Sequence, residues 1–525
     1  MNIRSIPLLV AFLSISTIPF AQNKADHVQV KWSEMRTAKE HGDLRAVLNV
    51  SHDLIFILVD LNGSTQIQVF DHEMKMLKQI DVGSEGKNKY IWEDCLFRKD
   101  RMLVFTSQYE KKSKTLFARV YTLPDLLPLS TAVKLLTGSA DDKDDQYAFI
   151  IGDHLPGDGF HVYTKTSKGY EGPSKIFLFD AELQAQGEAP EHSIKDAVPL
   201  DKNEYEFEDS QKMPDGSRYI VVRKYPEKSE KRRRKREGDP AYDMVLVHQG
   251  PNGGAGGMTD LSISDKFLQD LKMLEQENGD IVCAGFWGNK NSWEIRGAFF
   301  IRIDHISKEV AQKSFFEFDD GLITQYMSGR ELREASRSNS KGEDMEMADY
   351  HLRELVPRHD GGSVLVAEQY VHDIIEHTNS NGVTKYVNTY LYRDILVVSI
   401  DANGTIQWGA KIPKLQYSKD DDGRYSSYVM MLEGEQVHFL FNDNLKNLSL
   451  KTGDKIQLFK TAGSEAVITL ATVDPKGNVH REALVEPHER GTVLIPENCL
   501  EHGDGRLIIH GVDGRDYKFG SIRCM

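Results

Sequence analysis

Two tryptophans and a group of polar residues in the second half of the chain carry the side chains best suited to hold a ligand. Trp287 and Trp293 flank a Gly-Asn-Lys-Asn-Ser segment. Aromatic planes beside Asn and Lys suit stacking on a sugar ring or a peptide side chain. Glu368 and Asp443 are the acids to examine first, because glycosidic chemistry needs two carboxylates whose separation only the fold can set. Gln369, Tyr370, Lys414, Gln416 and Asn442 are further polar candidates. No G-x-S-x-G elbow, no H-E-x-x-H and no phosphate loop at a strand–helix junction occurs. The recurring Trp-containing blade signature of quinoprotein dehydrogenases is missing too. No catalytic residue is assigned on this pattern.

Charge clusters are the next candidates. Lys231 to Arg236 is a run of six cations, diluted by Glu227, Glu230 and Glu237. It reads as a solvated loop, with a local site for sulfated or phosphorylated glycans as the alternative. His372, Asp373 and His377 match no helical metal spacing, so no metal site is expected there. Two acidic clusters, Asp141, Asp142, Asp144, Asp145 and Asp420, Asp421, Asp422, offer the hard oxygens calcium prefers. Neither has the spacing of an EF-hand, and both read as solvated turns. No cofactor is predicted, calcium being the one possibility. A net charge of −15 over 525 residues argues against a general nucleic-acid or anionic-membrane binder.

These residues must be positioned by strands. Hairpins recur in which Asp ends one β-rich run: Asp71, Asp180, Asp304, Asp401 and Asp474. An Asp there accepts backbone N–H groups of the turn. A second tight turn lies upstream of each, as in "PDGS" (214–217) and "HDGG" (359–362). Together they make a four-stranded unit, a to d, repeating every 40 to 65 residues or so, the pattern of a propeller blade. Units fall near 44–82, 91–136, 147–193, 204–262, 266–318, 350–415, 426–487 and 492–522. The last lacks a fourth strand, while "HVQVKW" (27–32) lacks a partner, and pairing the two would close the ring. The expected fold is all-β, a β-propeller with eight blades, seven being the alternative. A helical insertion near 328–355 is expected between blades five and six.

The a–b and c–d turns read as short and the b–c and d–a connections as long, so binding is expected on the face that gathers the long loops. Residues 1–21 read as a cleavable export signal, leaving 22–525 as one propeller domain. Loss of the leader, with its single Arg and no acid, changes the charge from −15 to −16. No later stretch is apolar enough to span a membrane. The four cysteines, Cys95, Cys283, Cys499 and Cys524, are too widely spaced for a disulfide framework, and their pairing stays open; Cys283 reads as a buried thiol.

The stretches "GGSVLVAEQYV" (361–371), "YLYRDILVVSIDANGTIQWGAKIPKLQ" (390–416), "YSSYVM" (425–430), "FNDNLKN" (441–447) and "GRDYKFGSI" (514–522) resemble a family of uncharacterised exported, β-propeller-like proteins of Bacteroidetes. Gln369, Tyr370, Lys414, Gln416 and Asn442 lie in these stretches. The resemblance is most specific over the last 170 residues or so. It implies an exported bacterial propeller and supplies no reaction. The expectation is a non-catalytic binding or scaffold propeller, monomeric, in the periplasm, at the cell surface or secreted. Its partner would be a glycan, peptide or envelope protein, with no nucleic acid and no transmembrane segment. The alternative is a hydrolase or lyase acting on polysaccharide in the central funnel.

Overall fold

The structure is a computed structural model. It describes residues 28–524 except 111–112, 140–147, 153–157, 166–174, 191–193, 199–203, 214, 264–265, 290–292, 341–344, 379–383, 452, 462, 485–491 and 503–504. The expected export signal therefore lies outside the described residues. So do Asp141, Asp142, Asp144 and Asp145.

Eight antiparallel sheets form the blades of a propeller: six have four strands in sequential order, the sixth blade adds Gln416–Lys419 to its third strand, and the eighth is completed by the N-terminal strand. Blade one runs from Asp43 to Asp81, blade two from Ile91 to Ser139, and blade three from Ala148 to Pro190. Blade four has strands a Tyr205–Lys212, b Arg218–Lys224, c Asp243–Gln249 and d Ala255–Asp260. Blade five has Phe267–Glu275, Ile281–Gly288, Gly297–Ile303 and Val310–Glu317. Blade six has Tyr350–Pro357, Ser363–Thr378, Thr384–Ile400 and Ile406–Ile412. Blade seven has Val429–Glu433, Gln436–Asn444, Ala466–Val473 and Val479–Ala483. In blade eight, strand a is split into Val493–Leu494 and Leu500–His502, followed by Arg506–Asp513 and Asp516–Cys524. Its fourth strand is the N-terminal Val28–Trp32, paired to Asp516–Cys524 from Val28↔Cys524 to Trp32↔Gly520. The unpartnered strand near the N-terminus thus closes the ring as expected.

Middle strands are buried on both faces because neighbouring blades cover them. "AVITLATV" of strand 7c is buried at all eight positions, whereas outer strand 1d, "MLKQID", is mostly exposed. Hydrophobic clusters bridge the seams: Val104 and Tyr121 meet Phe56 between blades one and two, and Phe300 meets Leu396 between five and six. Ile508 and Phe519 of blade eight pack on Ile57 and Phe70 of blade one. The a strands of neighbouring blades touch each other, as expected for the innermost strand.

The Asp turns are scaffold. Asp401 Oδ1 accepts from Asn403 N at 2.9 Å and Thr405 N at 2.8 Å; Asp71, Asp180 and Asp474 repeat the arrangement. Gly404 adopts φ +74° and lies against the Phe300 ring of the preceding blade.

Three local expectations are corrected. Helices are α1 Ala38–His41, α2 Ile194–Ala197, α3 Lys228–Glu237, α4 Asp320–Thr324 and α5 Gly329–Ser340. The insertion between blades five and six is therefore α4 and α5, and the expected helix over 350–355 is strand 6a. A β-bulge at Arg353 shifts the alternation, so Leu352 and Leu355 both face the core with helix-like spacing. The cation run is helix α3, not a loop. Residues 370–390 are chiefly the extended ends of strands 6b and 6c, paired as far as Thr378↔Thr384. In addition, the b–c connection of blade one is a tight turn and strands b and c of blade two stay paired as far as Glu110↔Ser113, so elaboration concentrates in blades four to seven.

Candidate functional site

Call the face of the b–c and d–a connections the loop face. Near it, the innermost strands carry a repeated device. Strands 1a (Asp43–Ser51), 2a (Ile91–Phe97), 4a and 6a each contain a one-residue bulge, at Arg45, Glu93, Glu208 and Arg353 respectively. Each is charged and each faces an opposite charge: Arg45 with Asp60 at 3.6 Å, Glu93 with Lys114 at 2.6 Å, Glu208 with Arg223 at 2.6 Å, Arg353 with Glu368 at 3.1 Å. Strand 5a bulges at Gln269 and Asp270, and Asp270 Oδ1 lies 3.4 Å from the same Arg223. Burial pushes the Glu208 carboxyl up to about 7, against the pull of Arg223 and with the help of the Asp270 charge.

The structure brings most of the sequence-derived candidates together, but not in a pocket. Glu368 and Lys414 are fully buried, with Lys414 Nζ donating to Glu368 Oε1 at 2.7 Å and to Gln416 Oε1 at 3.1 Å. Ser427 Oγ donates to Glu368 Oε2 at 2.8 Å. Gln416 Nε2 donates to Asn442 O at 2.8 Å, and the Asn442 amide bridges Tyr425 O and both backbone groups of Leu494. One chain of bonds thus ties blade six to seven and seven to eight. Such a satisfied network specifies blade register. Asp443, also fully buried, accepts from Asn447 Nδ2 at 2.6 Å and Asn444 N at 2.8 Å, and burial pushes its carboxyl up to about 7. Gln369 donates to Ala348 O at 3.0 Å, and the Tyr370 ring lies 4.6 Å from Tyr392. Sequence reasoning passed over the buried Asp394, Lys411 and Arg481, and the partly exposed Arg353, which complete this charge cluster. The available signal was a charged residue bordering an apolar run, as Asp394 does in "DILVVSI". Burial pulls Lys411 down to about 8 and raises Asp394.

The two tryptophans separate. Trp287 is 3% exposed, packed in the core between blades four and five, with Nε1 donating to Ala298 O at 3.1 Å. It lies on strand 5b, which is covered on both faces, so it offers no stacking surface. Trp293 is 60% exposed and rests its edge on Phe267 at 5.0 Å and near Tyr242 at 6.0 Å. Beside this aromatic group a cleft of about 470 Å³ opens between α3 and the connection from blade four to five, lined by Arg233, Asp239, Tyr242, Asp243, Lys266 and Phe267 among others. Tyr242 is fixed by its hydroxyl, which donates to Leu268 O at 3.1 Å. Arg234 makes a two-toothed pair with Asp243, both bonds 2.8 Å, which pins α3 to the rim. Arg233 bonds Glu230, Glu237 and Asp239, and its bond to Glu230, joined by that of Arg234, holds the Glu230 carboxyl down at about 2. The cleft is thus lined by mutually bonded charged groups, and two of its lining residues, Tyr242 and Phe267, also carry the exposed Trp293 ring.

The remaining candidates serve the scaffold. His372 stacks on Tyr390 at 4.7 Å, Asp420 accepts from Asn388 N and Asp422 from Tyr390 OH, bracing the extended hairpin of blade six. Among the described residues, Asp280, Asp304 and His305 come close enough together to hold a metal ion. They sit on the opposite face, where Asp304 Oδ1 already accepts from Ile306 N and Ser307 N. No helix among the described residues is long and apolar enough to cross a membrane.

No protein-family model matches the chain, and no curated protein matches it. Solved structures resemble it along its length. The Dos1 propeller is 8% identical with a TM-score of 0.36, covering 94% of this chain and 95% of that one. The N-terminal domain of Nup159 is 9% identical with a TM-score of 0.27, over 96% and 97%. The polysaccharide lyase Uly1 is 10% identical with a TM-score of 0.31, over 85% and 94%. The propeller assignment itself stands on the eight sheets and their strand pairings.

Proposed function

We propose that this chain is an exported, non-catalytic binding propeller that recognises a glycan on its loop face, seated in the cleft beside Trp293. One observation carries the reading: a large indole left 60% exposed against Phe267 and Tyr242, two rings that also line a cleft. An exposed aromatic plane next to hydrogen-bonding groups suits the apolar face and hydroxyls of a sugar ring. Glu368 and Asp443, the acids first considered for chemistry, are sealed and bonded inside the blade seams, which favours binding over turnover. A peptide or an envelope protein would be the other ligand classes for this face. Calorimetry of the mature protein against a panel of neutral and acidic oligosaccharides tests the reading. A glycan should bind, and Trp293→Ala should weaken it at least tenfold. A panel with no binder, or a binder indifferent to Trp293→Ala, would overturn it.

Glu208 and Asp270 favour a second reading, an exported hydrolase or lyase acting on polysaccharide in the central funnel. They are acids on adjacent innermost strands, one of them raised to about 7, as a general acid requires. Release of new chain ends from a polysaccharide, lost in Glu208→Gln, would establish it in place of simple binding.

A further inference from the structure

Helix α3, "KSEKRRRKRE", is divided by its own periodicity. Glu230, Arg233 and Arg234 are partly buried against the protein, where the two arginines meet Glu230, Asp239, Asp243 and the exposed Glu237. Lys228, Lys231, Arg232, Lys235 and Arg236 follow at i, i+3, i+4, i+7 and i+8, and all five are exposed. Eight helical rises of about 1.5 Å place them along a stripe roughly 12 Å long. Each has a like charge three or four positions away, which is unfavourable in an isolated helix, and those in the first turn also oppose the helix dipole. The helix is held regardless by its left-handed Gly238 cap, φ +77°, and by the Arg234–Asp243 pair. A rigidly presented, self-repelling cationic stripe on a chain of net charge −15 is relieved by a polyanion.

We infer that this stripe takes the acidic groups of the ligand, so that the glycan recognised is an anionic one bearing sulfate or carboxylate groups along its chain. The inference rests on the proposed glycan-binding function. Continuity supports it, because Arg233 and Arg234 of the same helix line the Trp293 cleft. The stripe and the cleft thus belong to one helix, the stripe on the side turned away from the cleft. An anionic bilayer is a poorer match: α3 has no apolar residue to insert.

The test uses the full mature protein with dextran, dextran sulfate, polygalacturonate and single-stranded oligo-dT as probes, titrated at two salt concentrations. The expected result is at least tenfold tighter binding of one of the anionic glycans than of dextran. Its log K should fall with log salt, as counterion release requires. The variant K231E/R232E/K235E/R236E should lose at least tenfold in that affinity and most of the salt dependence. K231Q/R232Q/K235Q/R236Q should lie between, and far-UV circular dichroism should be unchanged in both. Unaltered binding in both variants would overturn the inference, as would oligo-dT binding as tightly as the sulfated glycan. Neutral glycans bound as well as acidic ones, in a manner dependent on Trp293, would refute the charge assignment alone. No glycan binding at all would remove both it and the function it rests on.

Discussion

Lys414 Nζ lies 2.7 Å from Glu368 Oε1, and neither side chain reaches solvent. Both ions are bonded a second time, Lys414 by Gln416 and Glu368 by Ser427 and Arg353. Removing Lys414 leaves the buried Glu368 with Ser427 and the partly exposed Arg353 alone, and loss of a partner from a buried pair costs up to about 3–5 kcal/mol. Lys414→Met should therefore lower the urea midpoint of unfolding sharply. The double variant Lys414→Met/Glu368→Leu should recover part of the loss. A Lys414→Met protein as stable as the parent would show that the pair is open to water.

Asp443 should leave a mark on the pH dependence of stability. Its carboxyl is raised to about 7 in the folded chain, against roughly 3.9 when unfolded. Between these values the folded chain keeps a proton that the unfolded chain has released, so stability falls as pH rises from about 4 to 7. Glu208 acts in the same direction, from its ordinary value up to about 7. His510, lowered to about 4 mainly by burial, acts oppositely and adds stability as pH rises from about 4 to 6.5. Asp443→Asn keeps an acceptor for Asn447 and removes the titration. Urea unfolding at pH 4, 5, 6 and 7 should show the decline reduced, by on the order of 4 kcal/mol over the window. An unchanged slope would place Asp443 outside the titrating set.

Trp287 and Trp293 should part company under mutation. Trp287→Ala empties a core position between blades and should cost about 3–5 kcal/mol, read as a lower midpoint of thermal unfolding. Trp293→Ala removes an exposed ring and should leave the midpoint within a degree or two while abolishing ligand-induced stabilisation.

Gly404→Ala should destabilise without touching binding. The residue sits at φ +74°, and an added Cβ would fall 2.1 Å from Phe300 Cε1 of the neighbouring blade. Strain and overpacking together should cost roughly 2–3 kcal/mol. Trimming the obstacle with Phe300→Leu should offset part of the additional loss, which a double-mutant cycle would measure.

A chain lacking Val28–Trp32 should lose thermal stability and gain a tendency to associate. Those residues cover the edge of Asp516–Cys524, and the Trp32 ring lies over Gly520 and under Lys518, 4.2 Å from its Nζ. The bared strand edge is a template for another chain. Light scattering that shows a monodisperse, equally stable truncated protein would refute the closure.

Repeat, blade order and ring closure were legible in the sequence because they are local. Asp401 and Asp474 announce their turns through bonds to their own following residues, and a stretch such as "HVQVKW" declares an unpartnered strand by alternation alone. The helix over 350–355 was misread for a local reason as well, since a single bulge at Arg353 converts strand spacing into helix spacing. The periodicity of the cations in α3 was present in the sequence too, but uniform charge hid which of them were anchored.

The site depended on what no stretch contains. Trp287 and Trp293 stand six positions apart in similar company, yet a covered strand buries one and the end of a loop exposes the other. Glu368 and Glu208 are both acids near the loop face. A lysine and a serine seal Glu368, while Asp270 of the next blade helps to hold Glu208 close to neutrality. Turn geometry and strand alternation are properties of neighbouring residues, so sequence by itself determined the propeller. Exposure and ionisation depend on which atoms another blade presses against a side chain, and only the tertiary structure decided those.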